Sequence, residues 1–129
     1  MNNKPIKVAQ VIGMAINGGT ETLWMNYYSV MDCFVLPSLY EGLPVVGIEV
    51  QASNLPFFMS DTVTKECMLN DNVYSLSIKD DPKKWAEFIN ENLIVSDDRG
   101  PSLLFGTKYD LSTEANVVCE LYEKIVNQQ

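Results

Sequence analysis

A parallel, helix-covered α/β sheet of the Rossmann-like, three-layer kind is the fold this sequence predicts. Three observations point to it. Short apolar runs alternate with segments of helical periodicity, in the order β-α-β-α-β-loop-β-α-α. The first runs are apolar at most successive positions, as in strands buried on both faces. The 129 residues are 47% hydrophobic and 20% charged, which suits one globular domain with a real core and excludes a disordered chain.

Each element has its own justification. Ile6 to Ile12 (IKVAQVI) reads as a buried strand, followed by a Gly/Asn-rich loop from Gly13 to Gly19. Thr20 offers an N-cap for a helix reaching Val30, with Glu21 and Thr22 in its first turn. Leu23, Tyr27 and Val30 form one apolar stripe of that helix, and Trp24, Tyr28 and Met31 a second beside it. Cys33 to Leu36 (CFVL) is the next strand, ended by Pro37 and Ser38. After a loop from Leu39 to Leu43, Pro44 suits the first position of a helix because its missing N–H would be unpaired there anyway. That helix covers Val45 to Ser53, with Asn54 at its end and Pro56 preventing continuation. Phe57 to Ser60 is the third strand, residues 61–72 are polar and irregular, and Val73 to Ile78 is the fourth strand. Asp80, Asp81 and Pro82 open another helix, whose Trp85, Phe88, Ile89 and Leu93 share one face. The loop Ser96 to Pro101 precedes a last helix from about Ser112 to Val126, apolar along Ala115, Val118, Cys119, Tyr122, Ile125 and Val126. The first strand either joins the sheet beside Cys33–Leu36 or stays unpaired. A right-handed crossover through the helix at 20–30 has ordinary length and permits the first arrangement.

The absences narrow the chemistry. With no histidine, Ser-His-Asp and Cys-His catalysis are excluded and the commonest metal ligand is missing. Cys33, Cys67 and Cys119 are odd in number and far apart, so they read as small core residues in a reducing compartment. Nine Lys and Arg against seventeen Asp and Glu give a net charge of −8, with no basic stripe for a nucleic acid. No signal-like or membrane-spanning run appears, so the default location is the cytoplasm.

In parallel α/β sheets, ligands bind at the carboxyl ends of the strands. Two segments fall there: residues 13–20 and residues 37–44. Gly13, Gly18, Gly19 and Thr20 match a P-loop only superficially, because Gly19 stands where the lysine belongs. The dinucleotide pattern G-x-G-x-x-G is absent. A glycine pair before a helix allows close backbone approach of an anion, or serves only as a tight turn. The second segment carries Glu41 in a loop and Glu49 in the following helix, with seven residues between them. Glu41 either complements the helix dipole or meets a ligand. Glu49 is flanked by Val45, Val46, Ile48, Val50 and Ala52, so it is expected to be largely buried and to need a partner. Carboxylates are good acceptors for paired hydroxyls such as those of a ribose or hexose.

The stretch MDCFVLPSLYEGLPVVGIEVQAS, residues 31–53, resembles the E-x7-E segment of retaining glycosyltransferases of the GT-B fold, family 4 type. The likeness covers residues 29–93, and Val8 to Thr22 is similar to the opening strand and Gly-Gly-Thr-Glu loop of that family's N-terminal domain. The resemblance implies a partial GT-B donor domain with a grafted N-terminal β-α unit. Residues 1–30 would be a remnant of the acceptor domain, 31–95 the later half of the nucleotide-sugar domain, and 96–129 a loop and C-terminal helix. It implies a nucleotide-diphosphate sugar as donor, a glycan or lipid-linked acceptor, no metal, and a place in the cytoplasm or at the inner face of the membrane. By the same resemblance, Glu41, Gly42 and Leu43 bind the donor sugar, Glu49 binds the ribose, and Gly18 and Gly19 approach the diphosphate or acceptor. No residue matches the family's diphosphate-neutralising Arg and Lys, and Arg99 lies in an unrelated late loop. Without such cations a departing diphosphate loses much of its stabilisation, so impaired activity is expected. The alternative is a non-catalytic nucleotide- or partner-binding α/β module, a homo-oligomer through its open apolar faces. A glycoside-hydrolase pair of Glu41 and Glu49 fits poorly, because the flanking sequence does not resemble one and such pairs need particular separations.

Overall fold

The computed structural model describes residues 5–10 and 27–127. Four strands form one sheet: β1 (Val8–Gln10), β2 (Cys33–Leu36), β3 (Phe57–Ser60) and β4 (Val73–Leu76). They lie in the order β1-β2-β3-β4, and every pair is parallel. The first strand therefore joins the sheet. Val8, Ala9 and Gln10 pair with Cys33, Phe34 and Val35. A main-chain and side-chain knot starts this pairing: Asp32 N–H donates to the Lys7 carbonyl at 2.8 Å, and Lys7 N–H donates to Asp32 Oδ2 at 2.7 Å.

The chain is helical at 27–30 and in α1 (Val45–Ala52), α2 (Pro82–Asn92) and α3 (Leu111–Val126), with a short 3₁₀ turn at Lys65–Cys67. Successive strand residues point to opposite faces, so β2, β3 and β4 each serve both faces of the sheet. Phe34, Leu36, Phe57, Met59 and Val73 face one way and pack with Tyr28, Val50, Leu55, Val63 and Cys67. Each fully buried side chain of this size contributes roughly 1.5–3 kcal/mol. On the other face Phe58 stacks on Tyr74 at 4.8 Å, and Phe88 of α2 meets both edge-on. Trp85 fixes α2 further by donating Nε1–H to the Ser77 carbonyl at 2.8 Å. Helices on both faces of a parallel sheet make the three layers.

α1 lies unusually close to the sheet. A Cβ on Gly47 would come within 2.6 Å of Cys67 Sγ and 3.1 Å of Phe57 Cε1, so only glycine lets this helix seat on β3. Gln51, fully buried, locks it in place. Its amide N–H groups donate to the carbonyls of Gly47 and Cys67 at 2.8 and 2.7 Å, and its Oε1 accepts from Leu69 N and Asn70 N at 2.9 and 3.1 Å. The helix ends as its sequence implies, with Asn54 left-handed at φ 52°. The Asn54 amide then donates to the carbonyls of Arg99 and Pro101, tying the late loop under the sheet.

Several expectations are corrected. Pro44 caps α1 from outside rather than occupying its first turn, with extended ψ 120°, as its restricted ring permits. β4 stops at Leu76, because Ile78 N–H turns to Asp61 Oδ1 instead of a strand partner. α3 begins at Leu111, capped by Asp110, whose Oδ1 accepts from Ser112 N at 3.1 Å. Cys33 and Cys67 are buried, and burial pushes both thiols up to about 11. Cys119 is exposed and is no core residue, since α3 buries none of its side chains.

Candidate functional site

The carboxyl ends of β2 and β3 present a small polar knot. Just past β2, the Ser38 carbonyl accepts from Thr62 Oγ1 at 2.7 Å and from Ser60 Oγ. Thr62 Oγ1 also lies 3.0 Å from Ser60 Oγ. The Ser38 hydroxyl in turn donates to Glu41 Oε1 at 3.1 Å. The Glu41 backbone forms an isolated parallel bridge with buried Val63. Pinned by its own main chain and by one hydroxyl, Glu41 keeps its second oxygen for another donor. Gly42 and Leu43 follow as exposed residues, beside Leu39 and Tyr40, which are 81% and 85% exposed. α1 then opens without a side-chain cap. Its first N–H groups belong to the end of the sheet where ligands bind.

Glu49 lies one turn into α1, roughly 6 Å along the axis from Val45. It is exposed, contrary to the burial expected from its apolar neighbours. The reason is geometric. The helix rests on the sheet through Gly47, Val50 and Gln51 and leaves the side bearing Val45 and Glu49 open, with Val45 71% exposed. The expected partner exists nonetheless. Tyr28 donates its hydroxyl to Glu49 Oε2 at 3.3 Å. Tyr28 is itself only 3% exposed. Burial first, and then the charge and hydrogen bond of Glu49, hold its hydroxyl well above the ordinary tyrosine range, so it remains a proton donor at neutral pH.

The two glutamates therefore belong to one strand–loop–helix unit, each steadied by a separate hydroxyl. Gly18 and Gly19, read as the diphosphate or acceptor loop, lie outside the described residues. Arg99 is placed at the opposite end of the sheet. Its guanidinium donates to the carbonyls of Tyr28 and Met31, just before β2. Among the described residues, no group of three His, Cys, Asp or Glu is arranged to hold a metal. Two contributors escaped the sequence reading. Tyr28 was only one member of an apolar stripe, and the Ser38–Ser60–Thr62 knot joins residues 22 and 24 apart. A hydroxyl on an otherwise apolar helix face was the one available signal for Tyr28.

A family described as glycosyl transferases group 1 matches residues 9–94, more than half of the chain. EpsF of Bacillus subtilis (strain 168), a protein assigned as a glycosyltransferase, is 43% identical over 72 residues, covering 55% of this chain and 19% of the relative. The UDP-Gal:alpha-D-GlcNAc-diphosphoundecaprenol alpha-1,3-galactosyltransferase of Escherichia coli is 32% identical over 74 residues, covering 57% of this chain and 19% of that protein. The matched stretch thus spans about a fifth of the length of these curated relatives. No solved structure matches the chain.

Proposed function

The chain belongs to the glycosyl transferases group 1 family, and from that premise we propose that it carries the nucleotide-sugar half of a retaining GT-B glycosyltransferase site of the family 4 type. The carrying observation is the pair of hydroxyl-steadied carboxylates on one β2–α1 unit, Glu41 beside Ser38 and Glu49 beside Tyr28. Glu41, with the backbone N–H groups of Gly42 and Leu43, accepts and donates hydrogen bonds to the hydroxyls of the donor sugar. Glu49 accepts from the ribose. Gly18 and Gly19 approach the diphosphate or the acceptor. The reaction breaks the bond between the sugar C1 and the diphosphate oxygen and forms one to an acceptor hydroxyl, which loses its proton, with configuration retained and no metal used.

Residues 1–30 are proposed to derive from the acceptor-side domain and 31–95 from the donor-side domain. On this reading the donor domain's diphosphate cations are missing, and their loss leaves the leaving group's charge unbalanced. The purified chain is therefore expected to bind a nucleotide sugar and turn it over poorly. The name of the Escherichia coli relative supports a lipid-linked or glycan acceptor, met at the cytoplasmic membrane surface. No helix among the described residues is long and apolar enough to cross a membrane.

Titration calorimetry with UDP-, GDP- and ADP-sugars tests this reading. Binding of one of them is expected, with loss in Glu49→Ala at an unchanged thermal midpoint. Rapid turnover by the purified chain would overturn the impaired-enzyme part, and the absence of any binding would overturn the whole.

One observation favours a second reading. α3 buries none of its side chains, and Val117, Val118, Leu121, Tyr122, Ile125 and Val126 are all exposed. Such an unpaired apolar face fits a partner-binding α/β module, in the simplest case a homo-oligomer. A stable dimer by light scattering, together with no nucleotide binding, supports this reading over the first.

A further inference from the structure

We infer that Tyr28 is a positioning residue for the Glu49 carboxylate, held in place from behind by Arg99. The inference rests on the proposed ribose role of Glu49. A glutamate on an open helix face has several rotamers, and a ligand that fixes one of them loses affinity in doing so. Tyr28 removes that freedom beforehand. Its hydroxyl donates to Glu49 Oε2 at 3.3 Å, while its ring is buried edge-on against Phe34 at 6.1 Å and 80°. The phenol cannot swing away without opening the core.

Arg99 holds the other end of the same residue. Its Nη1 donates to the Tyr28 carbonyl at 2.8 Å, and its Nη2 donates to the Met31 carbonyl. These carbonyls lie at the end of the helical turn at 27–30, where a cation complements the helix dipole, and the Tyr28 carbonyl accepts, besides Arg99, a long backbone bond from Met31 N–H at 3.4 Å. Arg99 lies beyond the family match, which ends at residue 94, so a segment outside that match fixes a residue inside it. A carboxylate offers about four lone-pair sites. Tyr28 takes one on Oε2 and leaves Oε1 and the remaining sites for vicinal hydroxyls. The ligand class is therefore a nucleoside diphosphate with an intact ribose diol, preferred over its deoxyribose counterparts.

The test is titration of the full chain with UDP, GDP and ADP and with their 2′,3′-dideoxy forms. The wild type is expected to bind at least one ribose form more tightly than its dideoxy form. Tyr28→Phe weakens the ribose form about three- to ten-fold, as expected when one side chain must be ordered on binding, and leaves the dideoxy form unchanged. In a Glu49→Gln background the same change has no further effect. Arg99→Met, which leaves the phenol in place, shifts the ribose form in the same direction and serves if Tyr28→Phe does not fold. If Glu49→Gln weakens the ribose form while Tyr28→Phe and Arg99→Met match the wild type, the inference fails and the ribose reading stands. Equal weakening of both ligand forms by Tyr28→Phe marks a merely structural role and also overturns it. If Glu49→Gln has no effect, or no ribose form binds, the ribose reading itself fails.

Discussion

α1 and α3 both carry several branched aliphatic residues, yet they meet opposite fates. α1 is apolar on nearly every side, and its sequence gives little indication of which side is buried. It nonetheless seats firmly on β3 through Gly47, Val50 and Gln51. α3 has a clear apolar stripe over sixteen residues and buries none of it. Periodicity shows that a helix is able to bury a face. Whether it does so depends on what stands opposite. α1 has Phe57, Cys67 and the loop at 69–70 opposite it, all within the family match. α3 lies beyond that match and touches no comparable surface among the described residues.

Substitutions sharpen this contrast. The largest effect is expected at the sheet under α1. Phe57→Ala should cost about 3–5 kcal/mol in urea unfolding, a large part of a domain's stability. Gln51→Ala should cost about 3 kcal/mol, because a fully buried side chain is lost and the half-buried N–H groups of Leu69 and Asn70 lose their acceptor. Gly47→Ala should cost about 2 kcal/mol by overpacking against the Cys67 sulfur, with part recovered by Cys67→Ala. The smallest effect is expected on α3. Leu121→Asp should stay within about 0.5 kcal/mol for the folded domain, while any dimer seen by light scattering is lost. A large destabilisation by Leu121→Asp would erase the contrast, since it would mean that α3 is part of the core.

The same contrast explains what was legible in the sequence. β2 and β3 have the predicted bounds, because Pro37 and the Asn54–Pro56 stop leave no freedom at those ends. Joining of the first strand was one of two open arrangements, since the pairing depends on Lys7 and Asp32, 25 residues apart. Glu41 and Glu49 were found as candidates from their motif. The exposure of Glu49 was not, because an apolar helix does not indicate which side meets the sheet. Gln51 is a single polar residue between Val50 and Ala52 in the sequence, and its partners at Cys67, Leu69 and Asn70 lie sixteen to nineteen residues on. Arg99 reaches Tyr28 across 71 positions, a contact no local pattern announces. The hydroxyls that steady the two glutamates were missed because serine and tyrosine carry no distinctive spacing of their own.

The central claim is that Glu41 serves the sugar and Glu49 the ribose of one nucleotide-sugar ligand. The most direct measurement is titration of Glu41→Gln and Glu49→Gln with a nucleotide sugar and with its nucleoside diphosphate. The account predicts that Glu49→Gln weakens both ligands, while Glu41→Gln weakens only the nucleotide sugar. Equal weakening of both ligands by Glu41→Gln, or wild-type affinity for the nucleotide sugar in either variant, would contradict it.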